Sequence, residues 1–495
     1  MNSPLFIIYR ERLPILLLFV FFFFGSLSIV SASYVGLNGH HVWRQSDSYS
    51  QILGFMGAKG ITPMTNFFGQ TRIYDLPIYE YIVAKISLLT VSHPLVVCKY
   101  VNIGFWLLLL ISGGLIVEYF NPGANIFLWC LLTTSPLFLH YYATPVPDIM
   151  ALSVSALGLA LILRAGETET WQHTVVIAAF SFASLIKSPI PFVFLIFYGT
   201  YLVLHWPNKT TPRFLCVSGM IFLVPLIFAC MAEIVRRTML GVDVSGFAQD
   251  PNWYFGTLQQ RYSGEFWLTM YVRVCESFPF HRIAFFVFPV VVVLYIAIGG
   301  SELRPLAPFV AAFFSGWLTF SNLYFIHDYY ELPVTVVLFM FLSVCLRRIV
   351  VRGEMGWLGL GVAKIAGATL FDLSVIITLL ATPAVMVFMN RISDYETASI
   401  YDAMSFALRA SDELLFVPGS GYSPQNPSIG GLTTTRITLT SLAALETNCE
   451  AILSRAEAVL VQGLSSCLRL HKVSATTYFE DLGYQLYLNR KLSTK

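Results

Sequence analysis

Charged residues are scarce in this chain: Asp, Glu, Lys and Arg make up 12% of its 495 residues, about half the ~25% of an ordinary soluble domain. With 56% hydrophobic residues, a soluble fold would lack the polar groups needed to cover its surface. A basic surplus is missing as well. Thirty Lys and Arg stand against 28 Asp and Glu, which excludes a polyanion binder and leaves no nucleic-acid partner. The eight cysteines form no CxxC pair and no HExxH helix occurs, so neither a disulfide scaffold nor a motif-type metal site is indicated. No GxxxxGK[ST] loop is present, which argues against P-loop hydrolysis of ATP. Internal repeats and low-complexity segments are also absent.

What the chain has in quantity is apolar and aromatic: 15% aromatic residues, 41 of them Phe. That composition predicts a polytopic α-helical membrane protein with lipid-facing helices and interfacial aromatic belts. Arg10 and Arg12 precede an apolar run over Leu13–Val35, too long for a cleavable signal core and therefore read as a retained first span. Hydropathy predicts about eleven spans. The others run near Leu95–Val117, Asn125–Ala143, Ile149–Leu163, Gln172–Ile186, Ile190–Trp206, Phe214–Ile234, Ile283–Gly299, Leu306–Phe325, Leu332–Leu346 and Lys364–Met389. Arg164, Lys209, Arg213, Arg304, Arg347, Arg348, Arg352 and Lys364 then fall in cytoplasmic connections if the N-terminus is cytoplasmic. Loops 36–94 and 236–282 face the other side. Long loops translocate largely regardless of charge, so Arg236, Arg237, Arg261, Arg273 and Arg282 are tolerated there.

Residues 1–390 thus form a transmembrane domain, and 391–495 a small soluble α/β domain on the extracytoplasmic side. Charged residues number 19 among these last 105, near the soluble norm. Glu413–Val417 and Ala458–Gln462 read as buried strands, Ser441–Arg455 as a helix between them and Pro418–Gly431 as a loop. Cys449 and Cys467 would share an oxidising compartment, where a disulfide and two separate thiols are equally open. In the first long loop Tyr49, Ile52, Leu53 and Met56 have the spacing of an amphipathic interfacial helix. Asp75-Leu-Pro77 opens a second helix with Ile78, Ile82 and Leu89 on one face.

Polar residues cluster in a few strings. His41-Val-Trp-Arg-Gln-Ser-Asp47-Ser follows the first span. Asp47 there suits proton abstraction, and Arg44 suits anion binding. The plain alternative is that Ser46 or Asp47 caps the helix. Tyr142-Ala-Thr-Pro-Val-Pro-Asp148 opens a span on the same expected face, again with helix capping as the alternative. Two carboxylates on one membrane face favour a site. Lys187, before Ser188-Pro189, either snorkels or meets a phosphate. His327-Asp328-Tyr329-Tyr330 packs polar and aromatic groups between two spans, more than an aromatic belt requires. Asp250, Trp253 and Arg261 lie in the second long loop, either lining a cavity or solvated.

An acidic residue after the first span, a Pro-x-Pro-Asp entry, a Lys-Ser-Pro turn and a Tyr-Tyr-x-Leu-Pro turn resemble the GT-C glycosyltransferases. The likeness is to the bacterial branch related to protein O-mannosyltransferases and the lipid A aminoarabinose transferase, over roughly residues 1–350. It implies a GT-C-like fold, a polyprenyl-phosphate sugar donor and transfer with inversion to an extracytoplasmic acceptor. It further implies Asp47 as base or acceptor-positioning acid and Asp148 as a second cavity acid. Lys187 and Tyr330 would lie near the donor phosphate, and a divalent metal is possible. The chain departs from relatives of the lipid A enzyme in having Ser48 where they carry Glu and Leu76 where they carry Lys. Arg44 or Arg72 would have to supply that cation. The WWD motif of oligosaccharyltransferases is missing, which disfavours transfer of whole oligosaccharides to protein. No external Asp-x-Asp is present to hold a nucleotide sugar. A transporter or flippase for a lipid-linked saccharide is the alternative, since acidic residues in a membrane cavity also suit proton coupling. A non-catalytic assembly protein on the same scaffold is a third.

Overall fold

Apolar runs become helices wherever the computed structural model describes them: residues 42–57, 62–63, 75–142, 144–165, 170–205, 212–240, 252–278, 289, 293, 304–354, 413–417, 436–439, 458–462, 475–476 and 484–488. The helices are α1 Val42–Phe55, α2 Ile78–Thr90, α3 Pro94–Phe120, α4 Asn125–Thr134, α5 Pro136–Tyr141, α6 Asp148–Arg164, α7 Thr170–Lys187, α8 Pro189–Leu204 and α9 Pro212–Leu240. Three short helices follow, α10 Asn252–Phe255, α11 Leu258–Tyr262 and α12 Gly264–Glu276. The described helical part closes with α13 Ala307–Thr319, α14 Ser321–Ile326 and α15 Glu331–Glu354. Proline in the first turn sets several starts, Pro136 in α5 and Pro189 in α8 among them.

Pro94–Phe120, Leu215–Val235 and Asp328–Ile349 are each long and apolar enough to cross a bilayer. The chain is a membrane protein. The three differ in what covers them. Asp328–Ile349 is mostly buried among other helices, whereas Leu215–Val235 is mostly exposed. Its Leu223, Leu226, Met231 and Ile234 point outward, a face that suits lipid.

Two expected spans are broken. Asn125–Ala143 divides at Ser135, which is extended (ψ 122°) because Pro136 follows it. The Ser135 hydroxyl donates to the Ser277 carbonyl at 2.6 Å, fixing the break. Leu306–Phe325 divides at Phe320, which leaves helical geometry between α13 and α14. Expected spans Leu13–Val35 and Lys364–Met389 lie outside the described residues, as does Ile283–Gly299 apart from Pro289 and Val293.

Near the C-terminus five strands are described: β1 Glu413–Val417, β2 Arg436–Leu439, β3 Ala458–Gln462, β4 Ala475–Thr476 and β5 Tyr484–Leu488. Their order is β2-β1-β3-β5-β4. β1 runs parallel to both β2 and β3, and β5 runs antiparallel to β3 and β4. Parallel neighbours require crossover connections, so β1 to β3 cannot be a simple meander. The two strands expected from sequence have the bounds of β1 and β3. The expected helix Ser441–Arg455, Cys449 and Cys467 lie outside the described residues.

The chain divides into two compact units. One holds the described residues from Asn102 to Tyr142 and from Pro147 to Glu354. The other holds those from Val42 to Val101, Thr144 to Val146, and the strands. In the first unit α6 packs on α7, α7 on α9, α8 on α13, and α13 on α15; in the second, α1 packs on α2.

Candidate functional site

In the first unit the candidate site residues sit at or between helix ends. Pro147 precedes α6, and Asp148, its first residue, makes no capping bond to its own helix. The carboxylate turns instead to the last residue of α7: Lys187 Nζ donates to Asp148 Oδ1 at 2.6 Å. Both side chains are 1% exposed. The capping and snorkelling alternatives are therefore both set aside, because each charge finds its partner across two packed helices. Lys187 Nζ also lies 4.2 Å from the Tyr329 ring centroid and 4.7 Å from that of Tyr330, so two π faces share the cation. Asp148 Oδ2 is buried without a hydrogen-bond partner among the described residues.

The His327–Tyr330 string completes this cluster. His327 stacks on Tyr329 with ring centroids 5.1 Å apart, and Tyr141 Oη donates to Asp328 Oδ1 at 2.5 Å. Three contacts that the sequence reading did not anticipate hold the string in place. Arg273 of α12 donates to the carbonyls of Tyr324 and Phe325 at the end of α14. Trp317 Nε1 donates to Glu331 Oε2 at 3.0 Å, tying α13 to the start of α15. Gly316 leaves room for Tyr324, whose hydroxyl would lie 2.5 Å from a Cβ at that position. Glu331 carried one signal: a carboxylate leading an apolar span, beside Tyr330. A cavity of about 610 Å³ lies between these helices, walled by Trp267, Tyr271, Phe313, Phe314, Trp317 and other apolar side chains.

In the second unit Asp47 is not a helix cap. α1 starts at Val42, which puts Asp47 in its second turn. Arg44, Asp47, Ser48 and Gln51 recur at i, i+3, i+4 and i+7, and all four are buried. Tyr49, Ile52 and Leu53 are buried too. α1 is thus enclosed on its polar and apolar sides alike, rather than lying with a polar face in water. Arg44 Nη2 donates to Asp75 Oδ2 at 2.8 Å. The buried face of α2 carries Tyr79, Glu80, Val83, Ala84 and Ser87. Ile78, Ile82 and Leu89 lie on another face, and Leu89 is 83% exposed. Burial pushes the Glu80 carboxyl up, against the opposing pull of the Arg44 guanidinium and the nearby Ser48 hydroxyl.

Asp148, Lys187, His327, Asp328, Tyr329 and Tyr330 therefore come together in one unit, while Asp47 and Arg44 share one helix face in the other. Arg72 and Asp250 lie outside the described residues, as does the side chain of Trp253. Arg261 donates to the Phe255 carbonyl within its own loop. Among the described residues no group of three or more His, Cys, Asp or Glu is placed to hold a metal ion.

No family model and no curated protein matches the chain. Solved structures do. ArnT from Cupriavidus metallidurans bound to undecaprenyl phosphate aligns with a TM-score of 0.66 at 13% identity, covering 98% of each chain. The Archaeoglobus fulgidus oligosaccharyltransferase in complex with Zn and sulfate aligns at 0.54 and 12% identity, over 89% of this chain and 68% of that one. The arabinofuranosyltransferase AftD from Mycobacteria aligns at 0.52 and 12% identity, over 95% of this chain and 39% of that one. The chain shares the fold of these three solved structures.

Proposed function

We propose that this chain is a membrane glycosyltransferase that takes its sugar from a polyprenyl-phosphate donor. The acceptor is an extracytoplasmic hydroxyl on a glycolipid, polysaccharide or protein. The observation that carries this reading is the buried Asp148–Lys187–Tyr329–Tyr330 cluster on a fold matched over 98% of both chains by ArnT. The ArnT structure holds undecaprenyl phosphate; by likeness, the same chemical class is the donor carrier here. The aromatic-walled cavity supports a lipid-borne substrate, because apolar walls of that kind suit an apolar chain.

Inverting transfer requires three things. A base takes the acceptor proton as its oxygen bonds the anomeric carbon. The anomeric carbon–oxygen bond to phosphate breaks, and the phosphate leaves with that electron pair. Cations stabilise the charge it gains. Asp47 is assigned as the base. Asp148, with one carboxylate oxygen unpartnered among the described residues, is assigned to an acceptor hydroxyl. Arg44, Lys187 and Tyr330 are assigned to the phosphate side, with Arg72 as a further cation. His327, Asp328 and Tyr329 line the substrate. Lys187 already holds Asp148 at 2.6 Å, so a phosphate near it would share the cation rather than meet a bare one. Asp148, Lys187 and the 327–330 string of the first unit lie at helix ends, whereas a transporter is expected to place charged groups near mid-membrane. That favours the enzyme over a flippase.

The test is transfer of labelled sugar from a panel of undecaprenyl-phosphate sugars by the full-length protein in nanodiscs. Product should form, and Asp47→Asn should lower turnover by roughly 10²–10⁴-fold while the protein stays folded. Movement of the lipid-linked sugar across a vesicle without any transfer would replace this reading with a flippase.

A further inference from the structure

The mechanism above leaves three buried polar groups of the first unit unused. Glu331 Oε1, Tyr324 Oη and Thr335 Oγ1 have no hydrogen-bond partner among the described residues. Glu331 is 1% exposed, and Tyr324 and Thr335 are fully enclosed. The three belong to one place. Glu331 opens α15, and Thr335 follows one turn later on the same face. The Tyr324 hydroxyl reaches that turn from α14. It and Val334 Cγ1 lie 2.5 and 2.8 Å from where a Cβ on Gly316 would sit, so the glycine is what lets the hydroxyl approach the helix. The next residue, Trp317, donates to the other Glu331 oxygen.

This polar group adjoins both parts of the site already described. Trp317 also walls the aromatic cavity, as does Leu338, further along α15 on the face of Glu331 and Thr335. On the other side Tyr330 precedes Glu331, and its ring centroid is 6.1 Å from that of Tyr324. Asp148 and Lys187 are just as enclosed, so a substrate meets either set of groups only when side chains move. A buried polar atom without a partner costs stability. Three in one place are a cost that a ligand can offset.

We infer that Glu331, Tyr324 and Thr335 form a subsite for hydroxyl groups of the donor sugar and set which sugar is accepted. This rests on the glycosyltransferase reading above and deepens it. The chemistry of the three groups selects the class of ligand. An apolar group would leave all of them unpaired, and a phosphate would meet a carboxyl. An ammonium offers donors alone, which leaves the hydroxyl hydrogens of Tyr324 and Thr335 without an acceptor. A sugar hydroxyl both donates and accepts, so neighbouring hydroxyls can satisfy the carboxyl oxygen and both side-chain hydroxyls together. Specificity follows from the same balance. A sugar that lacks the matching hydroxyl leaves buried groups unpaired again, and is rejected for that reason.

The experiment compares kcat/KM for the undecaprenyl-phosphate sugar that is transferred with kcat/KM for its monodeoxy analogues, using full-length protein in nanodiscs. Wild type should disfavour at least one analogue by about 10²-fold or more. Thr335→Val and Tyr324→Phe delete only the hydroxyls, and Glu331→Gln keeps an acceptor for Trp317. Each should shrink that discrimination by roughly tenfold. The two hydroxyl variants should also melt no lower than wild type, because they remove unpartnered groups. A merely structural role would lower melting and slow every donor alike. Discrimination unchanged in the folded variants, as water held by the three groups would give, overturns the subsite alone. So does one common loss for all donors, or a lower melting temperature in both hydroxyl variants. A wild-type protein that transfers no sugar from any undecaprenyl-phosphate donor overturns the glycosyltransferase reading, and the subsite with it.

Discussion

At the scale of the residue, Lys187 and Asp148 are the most constrained charges described. A buried ion pair gains little over an apolar pair of the same shape, but removing one partner strands the other. Lys187 keeps two tyrosine faces if Asp148 is neutralised, whereas Asp148 loses its one Lys187 hydrogen bond and already has an unpartnered oxygen. Lys187→Met should therefore cost roughly 3–5 kcal/mol, more than Asp148→Asn. The double variant should recover part of that loss, giving a coupling of about 1–3 kcal/mol in a double-mutant cycle. Melting of the four proteins in one detergent checks it. Additive losses would mean the two charges act separately. Both residues were visible in the sequence as polar groups at span ends; their pairing was not.

At the scale of the element, α1 shows why local pattern misplaces a residue. Ser46 and Asp47 are good capping types, yet the helix begins at Val42 and runs through them. Close approach then fixes where α1 ends. An added Cβ at Gly54 would lie 2.4 Å from the Thr62 carbonyl carbon and 2.5 Å from Pro63 N. These are backbone atoms, which cannot swing aside. Gly54→Ala should displace the 62–63 segment and lower stability by about 1–3 kcal/mol. It should also reduce sugar transfer, because the helix carrying Arg44 and Asp47 shifts with it. An unchanged melting temperature in the purified protein would show that the segment moves freely. Local pattern does not fix the buried face of α2 either. Ile78, Ile82 and Leu89 share one face, yet a helix in a membrane protein can turn an apolar side outward.

At the scale of the whole molecule, charge and chemistry separate along the helices of the first unit. Asp148 opens α6 and Arg164 closes it, a helix of 17 residues and so about 25 Å long. α15 repeats the arrangement, with Tyr330 just before it and Arg347 and Arg348 near its far end. Arg164 and Arg347 donate there to the carbonyls of Leu115 and Pro122. Basic ends stay cytoplasmic, so the Asp148 end should be extracytoplasmic. By the expected odd span count the residues after 391 should be too. A reporter fused after Lys495 should accordingly be active when it requires export and silent when it requires the cytoplasm. The reverse result would change the span count by one and invert the assignment of the site's face.

Sequence alone determined the class of this protein, because burying or bathing so many apolar residues with so little charge is possible only in a bilayer. It also determined most helices near their observed bounds, and two of the five strands, since both follow from local runs of residue type. The strings at helix ends were legible because polar groups beside apolar spans stand out against them. Only the tertiary structure decided which strings meet. Lys187 reaches Asp148 across 39 positions and Arg44 reaches Asp75 across 31, contacts set by how helices pack. It alone decided which faces are inward, and so that Glu80 is enclosed while Leu89 is not. The physical reason is the solvent. In water an apolar stripe marks the core, but lipid is as apolar as a protein interior, so the pattern that finds a membrane helix says little about which way it faces.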